Sequence, residues 1–202
     1  MLWRRRGGLV LKKQDVTTMS WATILEKTFD NFSMEKIHTA LPAQVISFDK
    51  DKRTISAQIT LKTVLIDDTE LTIPILEDVP VIFQGSGDFE LTFELKKDSY
   101  VLLVFSARAL DQWFEQGGIV DPLRNRTFSL SDAIAIPGLM SKPDAEGTQP
   151  VTSDAIELRK KDGSTVISVK SDSIKLNNSN GTIELKSSGQ IDCNSGTLTV
   201  DP

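Results

Sequence analysis

The chain has 202 residues, 23 basic and 28 acidic, with a net charge of −5 and a pI near 5.0. That acidic balance argues against a phosphate-backbone ligand. A single cysteine, Cys193, and a single histidine, His38, exclude an intrachain disulfide and a thiolate zinc cage, and leave little for histidine-based catalysis.

Residues 1–18 stand apart in charge. They carry Arg4, Arg5, Arg6, Lys12 and Lys13 against one acid, Asp15. Without them the count falls from 23 to 18 basic and from 28 to 27 acidic residues, a net charge of −9. The apolar run Leu9-Val10-Leu11 is too short for a signal-peptide core, and Lys12-Lys13 interrupts it. No stretch approaches the ~20 apolar residues of a membrane span. Residues 1–19 read as a flexible basic arm, or as an extension upstream of a start at Met19.

Residues 20–37 read as an N-terminal helix. Ser20 is the N-cap, and Leu25, Phe29, Phe32 and Ile37 form a stripe at helical spacing. The stripe suits docking on the following domain, or an adaptor helix that holds another protein.

Residues 38–140 read as a compact, mostly β domain. Gln44-Val45-Ile46-Ser47-Phe48 is a strand, and Asp49-Lys50-Asp51-Lys52-Arg53 its hairpin turn. The return strand, residues 54–65, alternates Ile55, Ala57, Ile59 and Leu61 with polar residues. Residues 71–75 follow, with Pro74 marking an edge or bulge, and then residues 79–83. Gly85-Ser86-Gly87 is a break, and residues 89–95 alternate again. Residues 100–105 are a continuous apolar run, expected to be the most buried strand. Residues 107–116 switch to helical period through Leu110, Trp113 and Phe114, and Gly117-Gly118 ends the helix. Its expected job is to plug the barrel or cover an open edge. Residues 128–137 return to the sheet. Five or six short strands with turn signals between them suggest a small barrel or sandwich, and an OB-type barrel of about a hundred residues fits well. Residues 141–150 read as a polar linker and the domain boundary.

Residues 151–202 contain no aromatic residue and repeat one theme. The triplets are Ile156-Glu157-Leu158, Ile167-Ser168-Val169, Ile174-Lys175-Leu176, Ile183-Glu184-Leu185, Ile191-Asp192-Cys193 and Leu198-Thr199-Val200. Each is apolar, polar, apolar, so the outer two side chains share a face. Turn residues such as Asp162-Gly163 and Asn177-Asn178-Ser179-Asn180-Gly181 separate them. Two aliphatic residues per strand cannot enclose a core, so the segment needs partners to supply the remaining walls, and the simplest partner is another copy of itself. At one layer per triplet, six layers span roughly 30 Å.

Three stretches resemble the N-terminal domain of phage baseplate central-spike proteins, the membrane-piercing spike family. They are Leu41-Pro42-Ala43-Gln44-Val45, residues 104–113 (VFSARALDQW) and residues 128–139 (FSLSDAIAIPGL). The resemblance covers about residues 38–140. It implies an OB-fold platform followed by an intertwined triple-stranded β-helix, built as a homotrimer. It further implies a place at the centre of a contractile-tail baseplate, below the tail-tube hub. The role is similar to that of the spikes of type VI secretion and related contractile injection systems, which are driven through the host outer membrane. Such spikes often finish in a histidine-bound metal at the apex. This sequence ends Gly196-Thr197-Leu198-Thr199-Val200-Asp201-Pro202 with no histidine there, so no metal is carried over. The needle is then blunt, or a separate tip protein caps it.

Candidate sites are few. Cys193 shares the parity of Ile191 and is expected to point inward. His38 reads as a surface or helix-end residue. Asp67, Asp68 and Glu70, and likewise Asp49 and Asp51, fall in polar turns, where acids are solvated rather than catalytic. Phe48, Phe83, Phe89 and Phe93 fit a core better than a nucleic-acid stacking platform. The reading is a mainly β structural protein with no catalytic, cofactor or metal residues and no nucleic-acid partner. It is a homotrimeric spike whose action is mechanical. The rival is a receptor- or glycan-binding tail protein with a β-helical shaft. A weaker rival is an OB-fold nucleic-acid module.

Overall fold

The computed structural model describes residues 20–194 except 24, 27, 30–36 and 65–69. The basic arm and the triplet Leu198-Thr199-Val200 lie outside the described residues. The chain divides into two units, Met1–Met140 and Ser141–Pro202.

In the first unit the helical residues fall between 21 and 29, and the Ser20 hydroxyl accepts the Thr23 N–H at 3.3 Å. Ile37 is not helical. Strand β1 (Ala40–Asp49) turns into β2 (Thr54–Ile59), with the Asp49 carboxylate accepting the Asp51 and Lys52 N–H groups at 3.0 Å. This local bond makes the turn self-sufficient. A two-residue pair, β3 (Thr63–Val64) and β4 (Glu70–Leu71), precedes β5 (Leu76–Pro80). The hairpin β6 (Gln84–Ser86) and β7 (Phe89–Leu91) follows, then β8 (Tyr100–Phe105) and β9 (Ala133–Leu139).

The main sheet runs β5-β2-β1-β8-β9, antiparallel throughout. Three register shifts bend it, and the one between Tyr100 and Val101 leaves Gly138 as the extra residue at φ 101°. Bulges increase local twist and let a sheet curl. The curl brings its two ends together: Val81, just past β5, pairs parallel with Ala135 of β9, and Ile82 N–H donates to the Ala135 carbonyl at 2.9 Å. Inside lie Ala43, Val45, Ile55, Ala57, Ile59, Val79, Val101, Leu103, Phe105, Ala133 and Ala135.

Several expectations are corrected. The strand expected over residues 54–65 stops at Ile59, and Pro74 lies outside any strand. Gly85 is not a break but part of β6. A side chain there would meet the Phe89 carbonyl at 2.6 Å, so glycine permits the close hairpin. The strand from Phe89 ends at Leu91. Strand β8 alternates rather than being buried on both faces, because only one face of a single curled sheet meets the core. More of β2 is buried. The helix spans only Asp111–Gln116 and buries no residue, so it does not plug the sheet.

The second unit begins with a short helix, Lys142–Ala145, inside the stretch read as a polar linker. Ser141 caps it through the Asp144 N–H and also bonds the Asp144 carboxylate. Gln149 is tied to the following sheet: its N–H donates to the Lys161 carbonyl, and its carbonyl accepts from Arg159 at 2.8 Å. Five strands then form a meander: β10 (Ala155–Arg159), β11 (Val166–Lys170), β12 (Ser173–Asn178), β13 (Gly181–Lys186) and β14 (Ile191–Cys193). Each pairs antiparallel with the next within the chain, with β10 and β14 at the two edges of the sheet. Side-chain bonds set the turns. Asn178 accepts the Asn180 and Gly181 N–H groups, and Asp162 accepts that of Ser164.

Candidate assembly face and the ion-paired corner

The five described triplets stack in register. One row is Ile156, Val169, Ile174, Leu185 and Ile191; the other is Leu158, Ile167, Leu176, Ile183 and Cys193. Directly opposed residues point to the same side of a sheet. The two rows therefore make one aliphatic face, about 19 Å long across five strands. Between them, on the other side, run Glu157, Ser168, Lys175, Glu184 and Asp192.

Exposure is inverted relative to an ordinary half-buried sheet. Nine aliphatic side chains of this face are 44–78% exposed, whereas Ser168 on the polar face is 5% exposed. Across the polar face, Glu157 pairs with Arg159 at 3.1 Å and Lys186 with Asp192 at 2.9 Å. A contiguous aliphatic patch of this size marks a surface built to be covered. Covering the exposed half of each residue is worth about 1 kcal/mol, or on the order of 10 kcal/mol per chain before association costs.

Cys193 lies on this face, opposite Ile183, as its parity indicated. It is half-exposed in the single chain. With the face covered, Cys193 is expected to resist alkylation in the native protein and to react after denaturation. Fast labelling of the native protein would show that the face stays open.

The second cluster sits in the first unit. Asp132 is 1% exposed. Its Oδ1 accepts the Leu110 N–H at 2.9 Å and Arg126 Nη2 at 2.8 Å, and its Oδ2 accepts Arg126 Nε at 3.0 Å. Arg126 Nη2 also donates to Asp111 at 2.8 Å. Burial pulls the Asp132 carboxyl upward, but the Arg126 hydrogen bonds, the Leu110 N–H and the Arg126 charge outweigh it, and the carboxyl sits below its usual range. Arg126 is held more strongly protonated than usual, first by its bond to Asp132. The cluster pins residues 106–132 to the end of β8, where Ser106 N–H donates to the Asp132 carbonyl. Sequence reading missed it, because both charges look like surface residues; Asp132 lies within the Phe128–Leu139 stretch that carries the resemblance.

The remaining candidates disperse. Asp67 and Asp68 lie outside the described residues. Asp49 caps its turn, as above. His38 is half-buried with its ring 5.8 Å from that of Phe105, not a free surface residue. Phe83 makes a tilted contact with Phe48 at 6.5 Å and an edge contact with Phe93 at 5.7 Å, and Phe48 and Phe83 pack on the core. Phe89 does not: it is 84% exposed at the hairpin tip. Among the described residues no group of three or more His, Cys, Asp or Glu could hold a metal, and no helix is long and apolar enough to cross a membrane.

The described residues are mainly β, with a curled sheet in one unit and an uncovered aliphatic sheet in the other. Residues 41–138 match the family model of the phage protein Gp138 N-terminal domain. The likeness covers 98 of the 202 residues, and it suggests a phage structural protein and a virion component. A search of curated proteins found no match.

Proposed function

We propose that the chain is the homotrimeric central spike of a contractile phage tail. In this reading it stands at the distal centre of the baseplate and is driven through the host outer membrane on contraction. Its action is mechanical, with no catalytic step and no cofactor. A tail hub or tube protein is the partner at the first unit, and a tip protein is a further candidate partner.

The observation that carries the proposal is the uncovered aliphatic face of β10–β14. A five-residue strand is about 17 Å long. A triangle with sides of about 17 Å has its centre about 5 Å from each side, half the ~10 Å spacing of packed sheets. Three copies of this sheet therefore enclose one continuous aliphatic core without a central void. Two copies would cover the face but leave both aliphatic rows beside open flanks. Because neighbouring strands pair within one chain, sister chains contribute mainly side-chain packing, where the sequence suggested an intertwined β-helix.

The strand order supports an OB-fold platform in the first unit. A β5-β2-β1-β8-β9 sheet whose ends meet through a parallel bridge is the connectivity of a five-stranded Greek-key barrel. Mass measurement in solution tests the proposal. A three-copy particle that persists in detergent is expected; a well-folded single copy with β10–β14 intact sinks it.

A second reading, glycan binding, draws on a pocket of about 320 Å³ lined by Phe48, Phe83 and Phe93 with Lys50, Arg53, Glu90 and Glu94. Its charges already pair with one another, Lys50 with Glu94 at 2.7 Å and Arg53 with Glu90 at 2.7 and 2.8 Å. The spike reading therefore stands first.

A further inference from the structure

The strands of the β10–β14 meander end on two flanks. On one flank lie Asp154, which precedes β10, the β11–β12 turn at residues 171–172 and the β13–β14 turn at residues 187–190. On the other lie the β10–β11 turn at residues 160–165 and the β12–β13 turn at residues 179–180. Residues 179–180 and 187–190 carry no charge, so the charged turns all sit at the β10 end of the sheet. Lys160 pairs with Asp162 at 3.1 Å, which leaves Lys161 as the unpaired cation of its turn. On the opposite flank Asp154 accepts the Ser171 hydroxyl at 2.8 Å and Asp172 accepts that of Ser173 at 3.1 Å. Neither acid has an ion-pair partner among the described residues, and Lys170, at the end of β11 on the same flank, pairs with neither. The flanks lie about 17 Å apart, the length of a five-residue strand, so Lys161 cannot reach these acids in its own chain.

When three sheets form the sides of a triangle, one flank of each copy abuts the opposite flank of the next. Such a contact joins different patches and closes under three-fold symmetry. We propose that at each corner Lys161 of one copy pairs with Asp154 and Asp172 of its neighbour. The heights agree when the copies run parallel. Lys161 lies between β10 and β11, Asp154 starts β10 and Asp172 lies between β11 and β12, all within about two strand spacings, or roughly 10 Å. An inverted copy would instead set the uncharged residues 187–190 beside those acids. The inference rests on the three-copy reading and adds what fixes the direction and register of the copies. The aliphatic rows cannot do so, because a slip of one strand still sets Ile, Leu or Val against its like. Exposed ion pairs add little affinity, but charges across an interface select orientation and register.

The test is zero-length cross-linking of the full chain with a carbodiimide, which condenses an amine with a nearby carboxylate. The mass of the particle is measured first. Covalently linked chains on a denaturing gel are the expected result, with peptide masses that join Lys161 to Asp154 or Asp172. Lys161→Gln should lose those peptides and keep the three-copy particle. A three-copy particle without them, or with Lys161 joined only to other acids, overturns the corner contact and leaves the spike reading intact. A single-copy particle before cross-linking overturns the spike reading itself, and the corner contact with it.

Discussion

Ile174→Asp is expected to abolish the three-copy particle, while Lys175→Ala leaves it intact. The two positions are adjacent in β12 but face opposite sides of the sheet. Ile174 sits mid-row, between Val169 and Leu185. In a closed column its side chain has no path to water. A carboxylate there lacks any cation, and three would converge near one axis. Burying an unpaired charge costs several kcal/mol per chain, and like charges add to it. In each chain that penalty is set against a gain on the order of 10 kcal/mol, which must also offset the cost of association. The particle should sediment as one copy, and the freed face should bind a hydrophobic dye. Lys175 is half-buried on the opposite, polar side of the sheet, so removing its side chain leaves the aliphatic face unchanged. If Ile174→Asp still sediments as three copies, the aliphatic face is not the interface.

Arg126→Met should destabilise the first unit more than Asp132→Asn does. Removing Arg126 leaves a fully buried carboxylate with only the Leu110 N–H, a loss of about 3–5 kcal/mol. Asp132→Asn keeps an oxygen for Leu110 and leaves Arg126 its bond to Asp111, so about 1–2 kcal/mol is expected. The double variant should lose less than the sum, because neither charge is then stranded. Melting at fixed protein concentration reads all three, at roughly 2–8 °C per kcal/mol. The pH dependence has a definite sign. The folded Asp132 pKa lies below its unfolded value near ~4. Its contribution is therefore complete above the unfolded value and is lost as pH falls through the folded value. Below pH ~4 the native protein should lose stability more steeply than Asp132→Asn. Equal slopes would show that the pair does not couple to folding.

The second unit was the more legible. Each triplet from Ile156 to Cys193 became a strand, because a period of two fixes which residues share a face and Asn, Asp and Gly fix where the chain reverses. In the first unit, residues 44–48 read as a strand, alternation marked β2, and helical spacing marked the helix capped by Gly117. The ends of strands were not legible, since Leu61 continues the alternation yet lies past the last partner of β2. Gly85 read as a break because its value, permitting close backbone approach, depends on Phe89 and Glu90 across the hairpin. Asp132 and Arg126 read as surface charges because burial is set by distant packing.

Local pattern by itself determined the alternating faces of the tail, its turns and the shortage of aliphatic residues for a self-contained core. Only the tertiary structure decided that neighbouring strands of one chain pair with one another, that the first sheet curls until β9 meets the residue after β5, and that a buried carboxylate pins its corner. Periodicity is a property of consecutive residues and survives in the sequence. Register, closure and ion pairing join residues far apart in the chain, and they are fixed only when those residues meet.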